Sequence, residues 1–324
     1  MNSNVRFKKY DGPSQVWVAE ARGFKEGRDS TLAIFGGVHG SERTGVNVVK
    51  QLVDGRHPVN LDAGRIFVVQ GNPKAVRMNE RASIKGLNLN REFMYGGNPK
   101  HAHLDPKDRP YEAMRAQALI PILEQSDALL DLHDFTNPKN PRFLIADPNY
   151  APGTDRSKDD GYRVARAITA HMPRTIISSG WTEADPGGSD GFMANLGKLG
   201  LCFELGDKTK PRQNLENAFG AVDRFIIAHA MFEGNLPEIF TEPAEPRFIW
   251  NEGAFVRQTD SEYELLLPEH LQPAFTPLPE GTPIVRMDGK IHTAPAGKLI
   301  IFPEENAPVG TEAYYLAHEF TLAA

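Results

Sequence analysis

The chain has 324 residues, 40% hydrophobic and 24% charged, the composition of a globular protein with room for a large core and a smaller second unit. Its formal net charge of −6 argues against nucleic acid and anionic membrane surfaces as partners. The single cysteine, Cys202, excludes an internal disulfide and a cysteine-rich structural zinc site, and nothing requires an oxidising compartment.

From the N-terminus, MNSNVRFKKYDG has positive charge but no apolar run behind it, so no signal peptide is expected. No stretch approaches the roughly 18 apolar residues of a membrane span, and the expected compartment is the cytoplasm. Leu32 to Phe35 is a compact apolar run ending in Gly36-Gly37, which predicts a buried strand and a turn. Thr44 to Val53 has helical spacing at Val46, Val49, Leu52 and Val53. Ile66 to Val69, between Gly64 and Gly71, predicts a second strand.

Tyr111 to Glu124 predicts a helix and Ala128 to Leu132 a strand. A helix follows over Tyr162 to His171, then strands at Thr175 to Ser178 and Leu201 to Leu205, then a long helix over Asn217 to Phe232. Alternation of this kind implies an α/β fold, with a mostly parallel twisted sheet flanked by helices. The composition changes at Thr241 to Pro246, TEPAEP, a Pro-rich acidic linker. Beyond it come short apolar runs with many Pro and Gly turns. The expected division is an α/β hydrolase unit over 1–240 and a small C-terminal β domain over 247–324.

The sharpest local feature is GGVHGSE, in which His39 and Glu42 stand three apart, directly after the first good strand. Imidazole nitrogen and carboxylate oxygen are both zinc ligands, and ligand crevices in open α/β sheets lie at the carboxyl ends of strands. Alone, a His-x-x-Glu pair is weak, since about one arises by chance in a chain of this length. LLDLHD adds His133 at the end of another apolar run, the same position relative to a strand as His39. Two histidines and a glutamate would leave one coordination position open, as catalytic zinc sites do. Asp131 or Asp134 could orient an imidazole. The bland alternatives are a surface pair for His39 and Glu42, and a hydrogen-bonded strand-end histidine for His133.

LCFELG places Glu204 inside an apolar strand, where burial would raise its pKa and suit it to general-base work, unless it pairs with a distant arginine. LNLNREF offers Arg91, whose planar fork can hold a carboxylate with two hydrogen bonds, and Asn90 beside it. Arg81, ten residues earlier, could polarise a scissile carbonyl. Either arginine could equally be a solvated surface charge.

The order GGVHGSE, GNPKAVRMNERASIKGLNLNREF, LLDLHD, LCFELGD resembles the aspartoacylase and succinylglutamate desuccinylase family of zinc carboxypeptidase-like enzymes. The tail, FTPLPEGTPIVRMDGK and IIFPEENAPVGTEAYY, is also similar to aspartoacylase, so the likeness runs from about Leu32 to Tyr315. It implies one zinc ion per chain on His39, Glu42 and His133. It implies Glu204 as general base, Arg81 at the oxyanion, and Asn90 and Arg91 on a substrate carboxylate. Tyr314, followed by a second tyrosine, matches a residue that the C-terminal domain lends to the substrate pocket, whose mouth that domain would cap. The implied activity is removal of a small acyl group from an N-acyl amino acid. The alternative is a succinylglutamate desuccinylase or a metallocarboxypeptidase acting on a small peptide-like amide. The partner would be a small molecule, and a homo-oligomer is compatible with the sequence.

Two departures from the family pattern stand out. Its usual Asp-Leu-Asn-Arg reads Asn88-Leu89-Asn90-Arg91, so a carboxylate is missing. Members acting on acidic substrates often carry an arginine about ten residues before the base glutamate, and here that stretch has Ala194 and Asn195. N-acetylaspartate is therefore not the favoured substrate, and a less acidic amino acid is expected. A serine hydrolase is a further rival, since Gly187-Gly188-Ser189-Asp190-Gly191 fits G-x-S-x-G, but no apolar strand precedes it. A non-catalytic binding protein is disfavoured by the complete ligand set plus Glu204.

Overall fold

A computed structural model describes residues 4–101, 103–147, 160–170, 172, 174–230 and 246–321. In chain order the N-terminal elements are β1 (Asn4–Val5), β2 (Lys8–Lys9), β3 (Val16–Glu20), β4 (Thr31–Gly36), α1 (Arg43–Val53), β5 (Val59–Asn60), β6 (Arg65–Gln70) and α2 (Pro73–Met78). There follow α3 (Tyr111–Gln125), β7 (Ala128–Phe135), β8 (Phe143–Ala146), α4 (Asp160–Thr169), β9 (Ile176–Ser179), α5 (Trp181–Ala184), α6 (Ser189–Asn195), β10 (Leu199–Asp207) and α7 (Pro211–Ala230). The C-terminal strands are β11 (Arg247–Val256), β12 (Glu264–Leu265), β13 (Thr276–Pro277), β14 (Pro283–Met287), β15 (Lys290–Thr293), β16 (Leu299–Ile301) and β17 (Glu312–Phe320).

One 12-stranded sheet dominates, in the order β13-β16-β17-β11-β9-β8-β10-β7-β4-β6-β3-β2. It is parallel across its middle, where β10, β7, β4 and β6 run together, and turns antiparallel toward both edges. A separate three-stranded sheet, β12-β14-β15, completes the C-terminal region. Four of the strands from β11 onward, β11, β13, β16 and β17, belong to the main sheet. β11 pairs in parallel with β9, so the main sheet continues into the C-terminal segment.

Alternation along the strands explains why β4 is buried throughout. Leu32 and Ile34 pack on one face with Val48, Leu52 and Phe225, while Ala33 and Phe35 pack on the other with Leu119 and Leu123. A central strand covered on both faces reads as an unbroken apolar run, which is the pattern of residues 32–35. Burying each such Leu, Ile or Phe contributes about 1.5–3 kcal/mol before entropy is counted.

The strands expected at 32–35, 66–69, 128–132 and 201–205 all form, each a residue or more longer at one end or both, and the one expected at 175–178 forms one residue later, at Ile176–Ser179. β7 runs on to Phe135, so His133 lies within the strand rather than after it. The final helix starts earlier than its apolar spacing shows, at Pro211. His171, residues 231–232 and the linker residues 241–245 lie outside the described residues. Among the described residues, no helix is long and apolar enough to cross a membrane.

Candidate metal centre and substrate cleft

The loop after β4 depends on close backbone approach. A Cβ on Gly36 would lie 2.2 Å from the carbonyl oxygen of Gly45, and one on Gly40 would lie 2.1 Å from the carbonyl carbon of Ala75. Of the three glycines, only Gly37 has a positive φ, 71°. The loop thus presses against α1 and α2. Glu42 caps the N-terminus of α1 but does not bond back to it. Instead Asp134 Oδ2 accepts the Thr44 N–H at 2.9 Å, tying α1 to β7 and freeing the Glu42 carboxylate to turn toward the histidines.

The Nδ1 atoms of His39 and His133 lie 2.7 Å and 2.9 Å from the two oxygens of Glu42. One ligand atom from each of the three buried residues falls within 4.8 Å of the others. The remaining nitrogen of His39 fixes its tautomer. Asn88 Oδ1 accepts the Asn90 N–H at 2.9 Å, which orients the Asn88 amide with its oxygen inward. That oxygen lies 2.8 Å from His39 Nε2, so Nε2 is the donor and a neutral ring leaves Nδ1 bare. Two acceptors, Nδ1 and a carboxylate oxygen, then face each other at hydrogen-bond distance. On the second imidazole, His133 Nε2 lies 3.2 Å from Asp131 Oδ2, off the line of a good hydrogen bond. Asp131 Oδ2 accepts the Ser189 Oγ–H at 2.6 Å.

Burial lowers the His39 pKa, keeping it neutral, although Glu42 opposes the shift. Burial opposes the charge on Glu42, but the neighbouring His39 and His133 hold its pKa well below the usual carboxylate value. Burial disfavours charge on His133 too, but Asp131, Cys202 and Glu42 together raise its pKa well above the usual value. Two imidazole nitrogens and one carboxylate are a donor set of the catalytic zinc type.

Glu204 follows from register. β10 and β7 run in parallel with Glu204 beside His133 and Cys202 beside Asp131, so both acid–base pairs face the same side of the sheet. Glu204 Oε2 is buried with no hydrogen-bond partner. Burial, reinforced by Glu42 against the opposing pull of His133, pushes its pKa up to about 7. Arg81 Nη1 reaches Glu42 Oε1 at 3.2 Å from a side chain still 59% exposed.

The 3-10 turn Leu89–Arg91 sets Asn90 and Arg91 on the opposite wall. Asn90 Oδ1 accepts the Ser189 N–H at 3.0 Å. Arg91 Nη2 lies 2.5 Å from Asp185 Oδ2 and its Nε lies 3.9 Å from Glu312 Oε1. The walls enclose a cleft of about 1390 Å³ lined by His39, Glu42, Arg81, Asn90, Arg91, His133 and Glu204 among others.

Tyr314 is not on this cleft. It is 1% exposed and stacks on Phe255 with ring centroids 4.5 Å apart, among the residues that pack the three-stranded sheet. Tyr315 lines the cleft in its place, near enough to Arg91 for the guanidinium to act on its phenol. The correction is one residue, and in a strand one residue exchanges the faces. Ser189, the candidate nucleophile, is wholly buried at the start of α6 and bonded to Asp131. The sequence held no signal for the pairing of Arg91 with Asp185 and Glu312.

The catalytic-domain model of succinylglutamate desuccinylase/aspartoacylase matches residues 28–230, more than half the chain. The chain belongs to the succinylglutamate desuccinylase/aspartoacylase family. A succinylglutamate desuccinylase of Serratia proteamaculans is 25% identical over 304 residues, 89% of this chain and 84% of that protein. An N-acyl-aromatic-L-amino acid amidohydrolase (carboxylate-forming) of Rattus norvegicus is 24% identical over 299 residues, 88% of this chain and 86% of that one. Among solved structures, a Vibrio parahaemolyticus succinylglutamate desuccinylase superposes with a TM-score of 0.69 at 18% identity, covering 98% of this chain and 89% of its own. Murine aminoacylase 3 superposes with a TM-score of 0.64 at 20% identity, covering 90% and 95%. At these identities the structures establish the family fold, including its large mixed sheet, flanking helices and small additional sheet.

Proposed function

We propose that this family member is a zinc-dependent amidohydrolase that removes a small acyl group from an N-acyl amino acid in the cytoplasm. His39, Glu42 and His133 would hold one zinc ion. The carrying observation is that both Nδ1 atoms converge on Glu42 while Glu204, in register with His133, holds an unpartnered oxygen buried on the cleft. The names of the relatives, a desuccinylase and an N-acyl amino acid amidohydrolase, support the reaction class.

When bound, zinc supplies Lewis-acid polarisation of a carbonyl and of water. The chain's own groups do the rest. Glu204 Oε2 takes a proton from the attacking water and returns it to the leaving nitrogen, the exchange for which a carboxyl titrating near neutrality is suited. Asn90 and Arg91 hold the substrate carboxylate and so align the scissile bond, and Arg81 donates to the developing oxyanion. Tyr315 bounds the same wall. The products are a carboxylate and a free amino acid. We assign residues 1–240 to the hydrolytic unit and 247–324 to a cap over the cleft mouth. Glu304, Glu312 and Tyr315, all in the second segment, line that cleft.

The test is turnover of N-acetyl, N-formyl and N-succinyl amino acids by the zinc-loaded protein, beside the Glu204→Gln variant. The variant should keep its metal and lose about 10²–10⁴-fold in kcat. Unchanged turnover in Glu204→Gln would remove Glu204 from the mechanism. Cleavage of unblocked peptides, with N-acyl amino acids left intact, would make the protein a carboxypeptidase instead.

A further inference from the structure

Arg91, the cation assigned to the substrate carboxylate, already stands among acids of its own chain. Asp185 Oδ2 lies 2.5 Å from Nη2 and Glu312 Oε1 lies 3.9 Å from Nε. Asp190, 7% exposed, also lines the cleft and acts on the Arg91 charge. Asp185 Oδ1 is buried without a hydrogen-bond partner. Arg81 also lines the cleft and acts on Asp185, but among the described residues that line it nine carboxyl side chains face five arginines and lysines. On α6, Ala194 is 3% exposed and does not line the cleft, so that helix brings no cation to the acids at this position.

Counting charge decides the matter. A substrate carboxylate docked on Arg91 would share one guanidinium with Asp185 and Glu312. That leaves an excess of negative charge in a half-buried space, where water screens it poorly. A second carboxylate on the substrate would meet like charge, and an ammonium or guanidinium would offset it. We infer that the cleft selects N-acyl amino acids with a basic side chain over acidic ones, with Asp185 and Glu312 setting that preference. This rests on the deacylase reading above.

The experiment compares kcat/KM of the zinc-loaded protein for the N-acetyl derivatives of ornithine, glutamine and glutamate, which are similar in length. The order should be ornithine, glutamine, glutamate, with at least about tenfold between the ends. In the double variant Asp185→Asn, Glu312→Gln the ornithine-to-glutamate ratio should fall at least about fivefold. If the two acids only positioned Arg91, all three substrates would weaken alike and the ratio would hold, which overturns the inference. So would glutamate equalling ornithine in the unaltered protein. Calorimetric binding of N-acetyl-ornithine and N-acetyl-glutamate to the zinc-loaded Glu204→Gln variant reads the same order without turnover. Absence of turnover on every N-acyl amino acid would count against the deacylase reading. The binding order would still decide the inference, and equal affinity, or no binding of either compound, would overturn it.

Discussion

His39 Nε2 lies 2.8 Å from Asn88 Oδ1, so the ring that offers Nδ1 to the metal centre is held from behind by a neutral amide rather than a carboxylate. Partners of this kind orient the ligand and raise its basicity, and losing one typically costs 10–100-fold in metal affinity. Asn88→Ala should therefore bind zinc roughly 10–100-fold more weakly, read by competition with a chromophoric chelator. Asn88→Asp restores the acid usual in the family and should bind zinc more tightly than the native chain. Equal affinity in all three would show that the contact does not tune the site.

Arg91 carries the substrate carboxylate in this account. Hydrogen bonds to charged groups contribute about 1.5–3 kcal/mol, so Arg91→Ala should lower kcat/KM by about 10–100-fold, mostly through KM. Arg91→Lys should recover little, because an ammonium cannot reproduce the two-pronged geometry. A lysine variant with native KM would argue that only charge matters there.

The raised carboxyls on the cleft wall fix the sign of a pH effect. Burial pushes Asp185 up to about 7 and Asp190 up to about 6. Each then holds a proton in the folded chain that it gives up on unfolding at intermediate pH. Their contribution to stability is present below the unfolded carboxylate range, about pH 4, and is lost as pH rises to about 7. The metal-free protein should lose part of its urea-unfolding free energy between pH 5 and pH 8, with a shallower fall in Asp185→Asn. A rise over that interval, or the same slope in the variant, would contradict the assignment.

Ser189 should behave as a structural residue. Its hydroxyl is buried on Asp131, so Ser189→Ala strands one carboxylate oxygen and should destabilise the fold by about 1–3 kcal/mol. A serine-directed phosphonate should leave activity intact while a chelator abolishes it. Inhibition with covalent labelling at Ser189 would reopen the serine-hydrolase alternative.

The central strands and the three candidate ligands were legible because each rests on short-range pattern. An apolar run covered on both faces reads directly from residues 32–35 or 201–205, and glycine-rich loops mark where such strands end. Glu204 stood out because a carboxylate inside LCFELG conflicts with its surroundings. What stayed hidden depends on pairing between distant segments. The join of β11 to β9, which carries the main sheet into the C-terminal segment, leaves no local trace in the sequence. Tyr314 and Tyr315 are equally good by residue type, and only the face of β17 separates them. The pairing of Arg91 with Asp185 and Glu312 links three segments far apart in the chain and could not be read from any one of them.

The most direct measurement is zinc stoichiometry by calorimetry and elemental analysis of the chelator-stripped and reloaded protein. One ion should bind per chain in the native protein, and no ion at this site in His39→Ala or His133→Ala that remain folded by circular dichroism. Undiminished binding in both folded variants, or no zinc bound by the native chain, would contradict a centre built on His39, Glu42 and His133.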